Sequence, residues 1–198
     1  APQVAQAASN PRGLRSSTLR ERVRQLLEAV RIPSPDVRMQ EFPHQMSGGM
    51  RQRIAGAVAL SGEPGIIIAD EPTTSLDVTI QAQYLDLLRR LQKDTGVGLI
   101  FVTHDLGIVA KMCDDVIVMY AGKTVEKGSV REIFNNPNHP YTSALIRSVP
   151  KLGSKDPLYR IEGQPPDLSN LPQGCSFASR CAIADDHCFE HEPPLIEV

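Results

Sequence analysis

The chain has 198 residues, of which 41% are hydrophobic and 22% are charged, and its formal net charge is −2. This is the composition of an ordinary globular domain with an appendage. The balanced charge and the aromatic content of 5% give no footprint for nucleic-acid binding, and no apolar run approaches the roughly 20 residues that span a bilayer, so membrane association is expected to go through partners.

The first third of the chain is predicted to be helical. Residues before Thr18 lack periodicity and are expected to form a loop. A capping box at residues 18–21, followed by apolar residues at helical spacing, predicts a helix over residues 19–30 that is ended by Pro33 and Pro35. A second helix is expected to begin at Ser47, a favourable N-cap, and to continue through Leu60.

Two short runs in which every residue is apolar predict β-strands. The runs Ile66–Ala69 and Leu99–Val102 lack the alternation of a half-buried strand, which favours burial on both faces of a parallel sheet. The helix between them is expected to be capped by Asp77 and to end at Gly96. Strands that alternate with helices predict an α/β domain with right-handed crossovers.

The C-terminal half is predicted to contain a β-hairpin, two short helices and an irregular appendage. Residues 116–127 are expected to pair through a turn at Gly122. A capping box opens a helix over residues 129–134, and another helix is predicted over residues 141–148. Beyond Pro150 the prolines are frequent and apolar runs are few, which indicates irregular structure.

A Ser-Gly-Gly triplet, Ser47-Gly48-Gly49, opens the second predicted helix. Backbone N–H groups at a helix start are unpaired and, together with the helix dipole, bind anions. The two glycines are expected to let a phosphate approach without a Cβ in the way, and Ser47 adds a hydroxyl donor. For an isolated triplet a capped helix with a flexible lead-in is the simpler interpretation, so the assignment depends on the motifs downstream.

Two carboxylates and a histidine follow the predicted strands. Asp70 and Glu71 come where the first apolar run ends, and His104 follows the second. Carboxyl ends of parallel strands lie at one edge of a sheet, where α/β proteins place their functional groups. One carboxylate there can hold Mg²⁺, usually through water, while its neighbour accepts a proton from the water that attacks a γ-phosphate. Each residue alone is more often structural, so the prediction rests on their order.

The phosphate-binding loop that such chemistry requires is not found in this sequence. The loop has the form G-x-x-x-x-G-K-[ST]. The single Gly-Lys-Thr, at residues 122–124, has Ile117 in place of the first glycine and lies in the predicted hairpin. Since the chain also begins without methionine, we expect a fragment whose upstream part carries the loop.

In order and spacing these motifs resemble those of the ATP-binding cassette (ABC) ATPases. Ser47-Gly48-Gly49 resembles the signature motif, Asp70-Glu71 the end of Walker B, Ser75-Leu76-Asp77 the D-loop, and His104 the switch histidine. The resemblance implies a P-loop NTPase-type fold, a parallel sheet with helices on both faces, and ATP and Mg²⁺ as ligands. It assigns Asp70 to magnesium, Glu71 to the base, His104 to the γ-phosphate, and the signature triplet and Asp77 to a nucleotide bound by a second subunit.

Three cysteines, Cys175, Cys181 and Cys188, have the spacing C-x5-C-x6-C in the appendage. With a fourth ligand, such as His187 or His191 for zinc, three thiolates hold either zinc or an iron–sulfur cluster. Together with His139-Pro140-Tyr141 they resemble the C-terminal extension of oligopeptide and dipeptide importer ATPases. Some members of that group are thought to bind a [4Fe–4S] cluster there, and the resemblance places a fourth cysteine beyond Val198.

The two resemblances imply the ATP-binding and ATP-hydrolysing subunit of a peptide importer, inactive as this fragment alone. The implied domains are a partial ATPase domain over residues 1–134, with a helical subdomain up to about residue 61, and an extension over residues 135–198. The implied partners are a second ATPase subunit, two transmembrane permease subunits and an extracytoplasmic peptide-binding protein, with no nucleic acid, at the cytoplasmic face of the cytoplasmic membrane. Two alternatives stay open: a soluble ABC ATPase, and a non-catalytic metal-binding module with a degenerate ATPase core.

Overall fold

The structure, a computed structural model, consists of two compact units, Ala1–His104 and Asp105–Val198. It describes residues 2–9, 16–74, 76–150, 153, 157 and 159–197. None of the described helices is both long enough and apolar enough to cross a membrane.

The first unit combines helices with a pair of parallel strands. Its elements are α1 (Pro2–Ser9), α2 (Ser16–Ala29), α3 (Pro35–Arg38), a 3-10 turn (Pro43–Gln45), α4 (Gly48–Leu60), β1 (Ile66–Asp70), α5 (Val78–Thr95) and β2 (Gly98–Val102). In the parallel pair Ile66 lies opposite Gly98, and Asp70 lies opposite Val102. The alternation of strands and helices therefore confirms the predicted α/β class.

The core of this unit lies among α1, α2, α4 and α5. It is formed by aliphatic residues of α2 and α5 together with Ala57 of α4. Burying one such leucine or valine stabilises the fold by about 1.5–3 kcal/mol. Tyr84, Leu88 and Leu91 of α5 are buried, and Gly96, at φ 71°, ends that helix as expected.

The prediction of a loop before Thr18 is wrong for residues 2–9, 16 and 17, whereas residues 10–15 lie outside the described part of the chain. Residues 2–9 form α1, whose Val4 is fully buried, and this helix packs on α2 and α4. Because α1 is alanine-rich and has one large apolar residue, it has helix propensity without a periodic stripe. Helix α2 already begins at Ser16, so Thr18 lies inside the helix instead of capping it.

The C-terminus of α2 also differs from the prediction. Arg31 adopts φ 56°, and the N–H of Ile32 donates to the carbonyl oxygen of Leu27 at 2.9 Å. These are the features of a Schellman-type end, in which a left-handed residue closes the helix. The helix is therefore ended by this turn, before Pro33 is reached.

One face of the β1–β2 pair is exposed. Ile66 and Ile68 are 61% and 68% exposed, and Ile100 and Val102 are each 50% exposed. Among the described residues, only the opposite face, which carries Ile67 and its neighbours, is shielded. The prediction that these strands are buried on both faces is therefore wrong for this face. An apolar run is compatible with burial on both faces, but it does not determine whether another element packs against each face.

The second unit is built around an antiparallel hairpin. Its elements are α6 (Leu106–Met112), β3 (Asp115–Tyr120), β4 (Lys123–Ser129), α7 (Val130–Asn135), α8 (Pro140–Arg147), a 3-10 turn (Ala178–Arg180) and α9 (Asp186–Glu190). Ala121 and Gly122 have φ values of 48° and 80°, as a two-residue hairpin turn requires. The Gly-Lys-Thr sequence is thus confirmed as a hairpin turn, and the capping box between Ser129 and Glu132 is confirmed as well.

An aromatic cluster holds the C-terminal segment against this hairpin. The ring centroids of Tyr120, Tyr141 and Phe177 are 4.6–5.4 Å apart. The guanidinium of Arg180 donates to the hydroxyl of Tyr120 at 3.1 Å and to the carbonyl oxygens of Ile161 and Glu162. Aromatic packing and the three hydrogen bonds donated by Arg180 therefore stabilise a segment that is irregular and has few aliphatic runs.

Candidate active site

The two parallel strands deliver polar side chains to one edge of the sheet. Asp70 is the last residue of β1, and Glu71 follows it immediately. The N–H of Glu71 donates to the carbonyl oxygen of Val102 at 2.8 Å, which extends the ladder by one residue beyond β1. His104 follows two residues after β2 ends. The predicted meeting of these residues at the carboxyl edge is therefore present.

Glu71 and His104 are in direct contact at this edge. The Nδ1 atom of His104 lies 2.7 Å from Oε1 of Glu71. The other carboxylate oxygen, Oε2, accepts a hydrogen bond from the hydroxyl of Thr74 at 2.6 Å. The hydrogen bond from Thr74, followed by that of His104, lowers the pKa of Glu71 below its ordinary value. The carboxylate is therefore ionised at neutral pH and has lone pairs with which to accept a proton.

Glu71 also has an unusual backbone. Its φ is 44°, in the left-handed region that residues with a Cβ seldom adopt. Such conformations persist when the surroundings hold them, and they cluster at functional sites. Thr74 was not predicted as a site residue. Its position three residues after Glu71, with Pro72 between them to favour a turn, was the sequence feature that could have indicated this contact.

Asp70 is the residue expected to hold magnesium. It lies at the exposed end of β1. The described residues contain no group of three or more His, Cys, Asp or Glu side chains gathered for a metal ion. Mg²⁺ usually takes only one or two carboxylates and completes its shell with waters and substrate phosphates. A single accessible carboxylate beside a proton acceptor fits that ion.

The Ser-Gly-Gly triplet opens α4 as predicted. Ser47 is the N-cap, and its Oγ accepts a hydrogen bond from the N–H of Met50 at 3.3 Å, which leaves the hydroxyl proton available for an outside acceptor. The two glycines differ. A Cβ on Gly48 would have nothing within 4 Å, whereas a Cβ on Gly49 would lie 2.7 Å from Cγ2 of Ile80. Open space for a ligand is thus found at Gly48, and Gly49 has a packing role that the sequence did not reveal.

Asp77 caps α5 and lies close in sequence to that packing contact. Its Oδ1 accepts hydrogen bonds from the N–H groups of Thr79 and Ile80, both at 3.0 Å. Because Ile80 also packs against Gly49, the first turns of α4 and α5 are held together. The structural role predicted for Asp77 is confirmed; Ser75, which precedes it, lies outside the described residues.

Cys175, Cys181 and Cys188 are free, half-buried thiols that line one open cavity. Cys175 and Cys188 are adjacent, because the N–H of Cys175 donates to the carbonyl oxygen of Cys188 at 2.8 Å. In the described part of the chain they are not gathered with each other or with histidines into a metal-binding group, and His187 and His191 stack on each other with centroids 4.4 Å apart. The structure therefore does not support an iron–sulfur or zinc centre.

The His-Pro-Tyr segment has a structural role. Nδ1 of His139 accepts a hydrogen bond from the N–H of Tyr141 at 3.1 Å and so caps α8. The buried carboxylate of Glu126 accepts from the N–H groups of Asn138 and His139 at 2.7 and 3.0 Å. Burial lowers the pKa of His139, and the charge of Glu126 opposes that shift. Glu126 was not identified from the sequence.

A parallel strand pair that presents a carboxylate pair and a histidine at its carboxyl edge is the arrangement of an α/β protein that places its functional groups at that edge of the sheet. Comparison with known proteins narrows that class. The family model of the ABC transporter matches residues 2–74, and that of the oligopeptide/dipeptide transporter C-terminal region matches residues 125–188.

Individual relatives agree with both models. A putative peptide import ATP-binding protein of Brucella ovis is 48% identical over 99% of this chain and 60% of its own length. The oligopeptide transport ATP-binding protein OppD of Bacillus subtilis is 53% identical over 90% of this chain and 51% of its own length. The structure of cbiO1 from Clostridium perfringens, part of the ABC transporter complex cbiONQ, has a TM-score of 0.58 and 34% identity over 67% of this chain and 51% of that one.

The chain therefore belongs to the ABC transporter family of ATP-binding proteins, in the group that carries the oligopeptide/dipeptide transporter C-terminal region. It spans between about half and three fifths of the length of these relatives.

Proposed function

We propose that this chain forms part of an ATP-binding and ATP-hydrolysing subunit that energises peptide import. The observation that carries the proposal is the contact between Glu71 and His104 at the edge of the parallel sheet. This pair provides an ionised proton acceptor and a second polar group at the place where α/β domains perform their chemistry. The peptide class of the cargo is supported by the names of the relatives and by the match over residues 125–188.

In this proposal Glu71 is the general base. Its carboxylate accepts a proton from the water that attacks the γ-phosphate. An ionised carboxylate only accepts hydrogen bonds, so the 2.7 Å contact requires that Nδ1 of His104 carries a proton. The ring is 78% exposed. The other ring nitrogen, Nε2, is proposed to contact the γ-phosphate.

Asp70 is proposed to hold Mg²⁺, which when bound neutralises charge on the phosphate oxygens. Ser47, Gly48, Gly49 and Asp77 are proposed to face a nucleotide that a second subunit holds. The open space at Gly48 and the available hydroxyl proton of Ser47 support this arrangement, since both are compatible with a phosphate oxygen arriving from outside the chain.

The proposed assembly contains a second ATPase subunit, two transmembrane permease subunits and an extracytoplasmic peptide-binding protein. The subunit is proposed to be a peripheral protein at the cytoplasmic face of the cytoplasmic membrane. The predicted domain division, an ATPase part over residues 1–134 and an extension over residues 135–198, is retained as part of the proposal.

The test uses a longer protein, a chain of the relatives' length that contains this sequence, purified with its proposed partners. Glu71→Gln should preserve ATP binding and abolish magnesium-dependent hydrolysis, because the proton acceptor is lost while Asp70 is kept. Asp70→Ala is the matched control and should weaken magnesium-dependent binding itself. Hydrolysis that survives Glu71→Gln at the parental rate would overturn the assignment of the base, and residues 1–198 alone should not turn over ATP.

An inorganic centre at Cys175, Cys181 and Cys188 stays a prediction within this proposal. The cysteine spacing C-x5-C-x6-C motivates it, whereas the structure shows no gathered set of ligands among the described residues. The decisive measurement is iron and zinc analysis of anaerobically purified longer protein. About four irons per chain, lost in Cys181→Ser, would establish a [4Fe–4S] cluster; stoichiometric zinc or a metal-free protein would exclude it.

A further inference from the structure

The carboxylate of Glu71 is held at both of its oxygens. Oε1 contacts Nδ1 of His104 at 2.7 Å, and Oε2 accepts from the hydroxyl of Thr74 at 2.6 Å. The two partners differ in how firmly they are themselves held. The His104 side chain is 78% exposed and follows the end of a strand, whereas Thr74, which is also exposed, belongs to a short turn that contains buried residues.

That turn fixes Thr74 relative to Glu71. The N–H of Glu71 bonds to Val102, and the N–H of Thr74 donates to the carbonyl oxygen of Glu71 at 3.4 Å, which closes the turn. Pro72 and Thr73 inside the turn are buried, and Thr73 is only 7% exposed. The backbone between Glu71 and Thr74 is therefore constrained. Because the threonine side chain is short and has restricted χ1 rotation, the position of its hydroxyl is restricted as well.

A glutamate without such a partner has three rotatable side-chain bonds, and its freedom opposes any single productive orientation. His104 alone does not remove that freedom, because one contact at Oε1 still permits the carboxylate to rotate about it. A second contact at Oε2 fixes the plane of the carboxylate. The contact at Oε2 matters more because Glu71 has a left-handed backbone. Its side chain therefore does not take the direction that it would have in a regular strand.

We propose that Thr74 is a positioning residue for the reaction, whose hydroxyl holds Oε2 of Glu71 so that Oε1 is presented to His104 and to the attacking water. The proposal rests on the proposed function, in which Glu71 is the base. It adds a residue whose hydroxyl acts on the reaction through Glu71.

The experiment compares Thr74→Val and Thr74→Ser in the longer protein with its partners. Valine keeps the shape of threonine and removes the hydroxyl, whereas serine keeps the hydroxyl. Thr74→Val should lower kcat for ATP hydrolysis about five- to tenfold while changing KM for ATP less than about twofold, because alignment is lost and nucleotide contacts are kept. Thr74→Ser should restore kcat to within about twofold of the parent. Thr124→Val makes the same change at an exposed threonine of β4 and serves as the control.

The outcomes separate this proposal from the proposed function. An active parent that Glu71→Gln inactivates, combined with an unchanged kcat in Thr74→Val, would overturn the positioning role alone. Equal losses in Thr74→Val and Thr74→Ser, or a loss that tracks a lower melting temperature, would show a structural role and also overturn it. A parent with no magnesium-dependent hydrolysis would instead overturn the proposed function. A kcat loss confined to Thr74→Val, at an unchanged melting temperature, would establish the positioning role.

Discussion

The two glycines of the Ser47-Gly48-Gly49 triplet should respond differently to the same substitution. Both occupy the first turn of α4, so replacing either by alanine reduces the entropy of the unfolded chain and improves helix propensity by a similar amount, about 0.5 kcal/mol. Only Gly49 meets an obstacle, since its new Cβ would lie 2.7 Å from Cγ2 of Ile80. The difference between the two variants therefore isolates the cost of that overlap.

The size of the stability difference depends on how tightly Ile80 is packed. Overpacking in a well-packed region costs about 1–3 kcal/mol. Ile80 is only half-buried and is able to shift, so we expect the lower end, about 1–1.5 kcal/mol between Gly49→Ala and Gly48→Ala. For a unit of about 100 residues this corresponds to a difference of roughly 5–7 °C in melting temperature.

The assay is thermal and urea unfolding of residues 1–198, followed by circular dichroism. Ile80→Ala should cancel the difference, because it removes the atom that the new Cβ meets, and the double-mutant cycle should show a coupling of about 1 kcal/mol. Equal stability of Gly48→Ala and Gly49→Ala, or no coupling to Ile80, would refute the packing role of Gly49. If Gly48 is the position where a phosphate approaches, Gly48→Ala should impair ATP hydrolysis in the longer protein without destabilising it.

Three further predictions concern other residues. His104→Ala in the longer protein should lower kcat much more than it weakens ATP binding; a fall in melting temperature at unchanged activity per folded molecule would contradict this. Asp77→Ala should destabilise residues 1–198 by about 1 kcal/mol through loss of two N-cap hydrogen bonds, whereas Asp77→Asn should retain most of that stability in urea unfolding. Burial lowers the pKa of His139 below its ordinary value of about 6.5, so the unfolded chain binds the proton more readily. Stability should therefore fall as the pH decreases from about 7 through the ordinary pKa, and His139→Asn, which keeps a capping oxygen, should reduce that fall in urea titrations at several pH values.

The sequence by itself determined the local features of this protein. The hairpin turn at Gly122, the capping box at Ser129, the N-caps at Ser47 and Asp77, and the end of α5 at Gly96 all follow from short-range rules, because backbone conformation and capping depend on a few neighbouring residues. The carboxyl-edge placement of Asp70, Glu71 and His104 also followed, because parallel strands of known order end at one edge of their sheet.

Tertiary structure alone decided what these elements meet. Helix α1 has no periodic stripe, and it forms because Val4 is buried against neighbours that are distant in sequence. The packing of Gly49 on Ile80, the two hydrogen bonds of Glu126 and the contact of Thr74 with Glu71 depend on where the chain returns in space. The same holds for the exposed face of β1 and β2 and for the cysteines that share a cavity without forming a metal-binding group among the described residues. Spacing along a chain limits which side chains are able to meet, but distances and partners are set by packing.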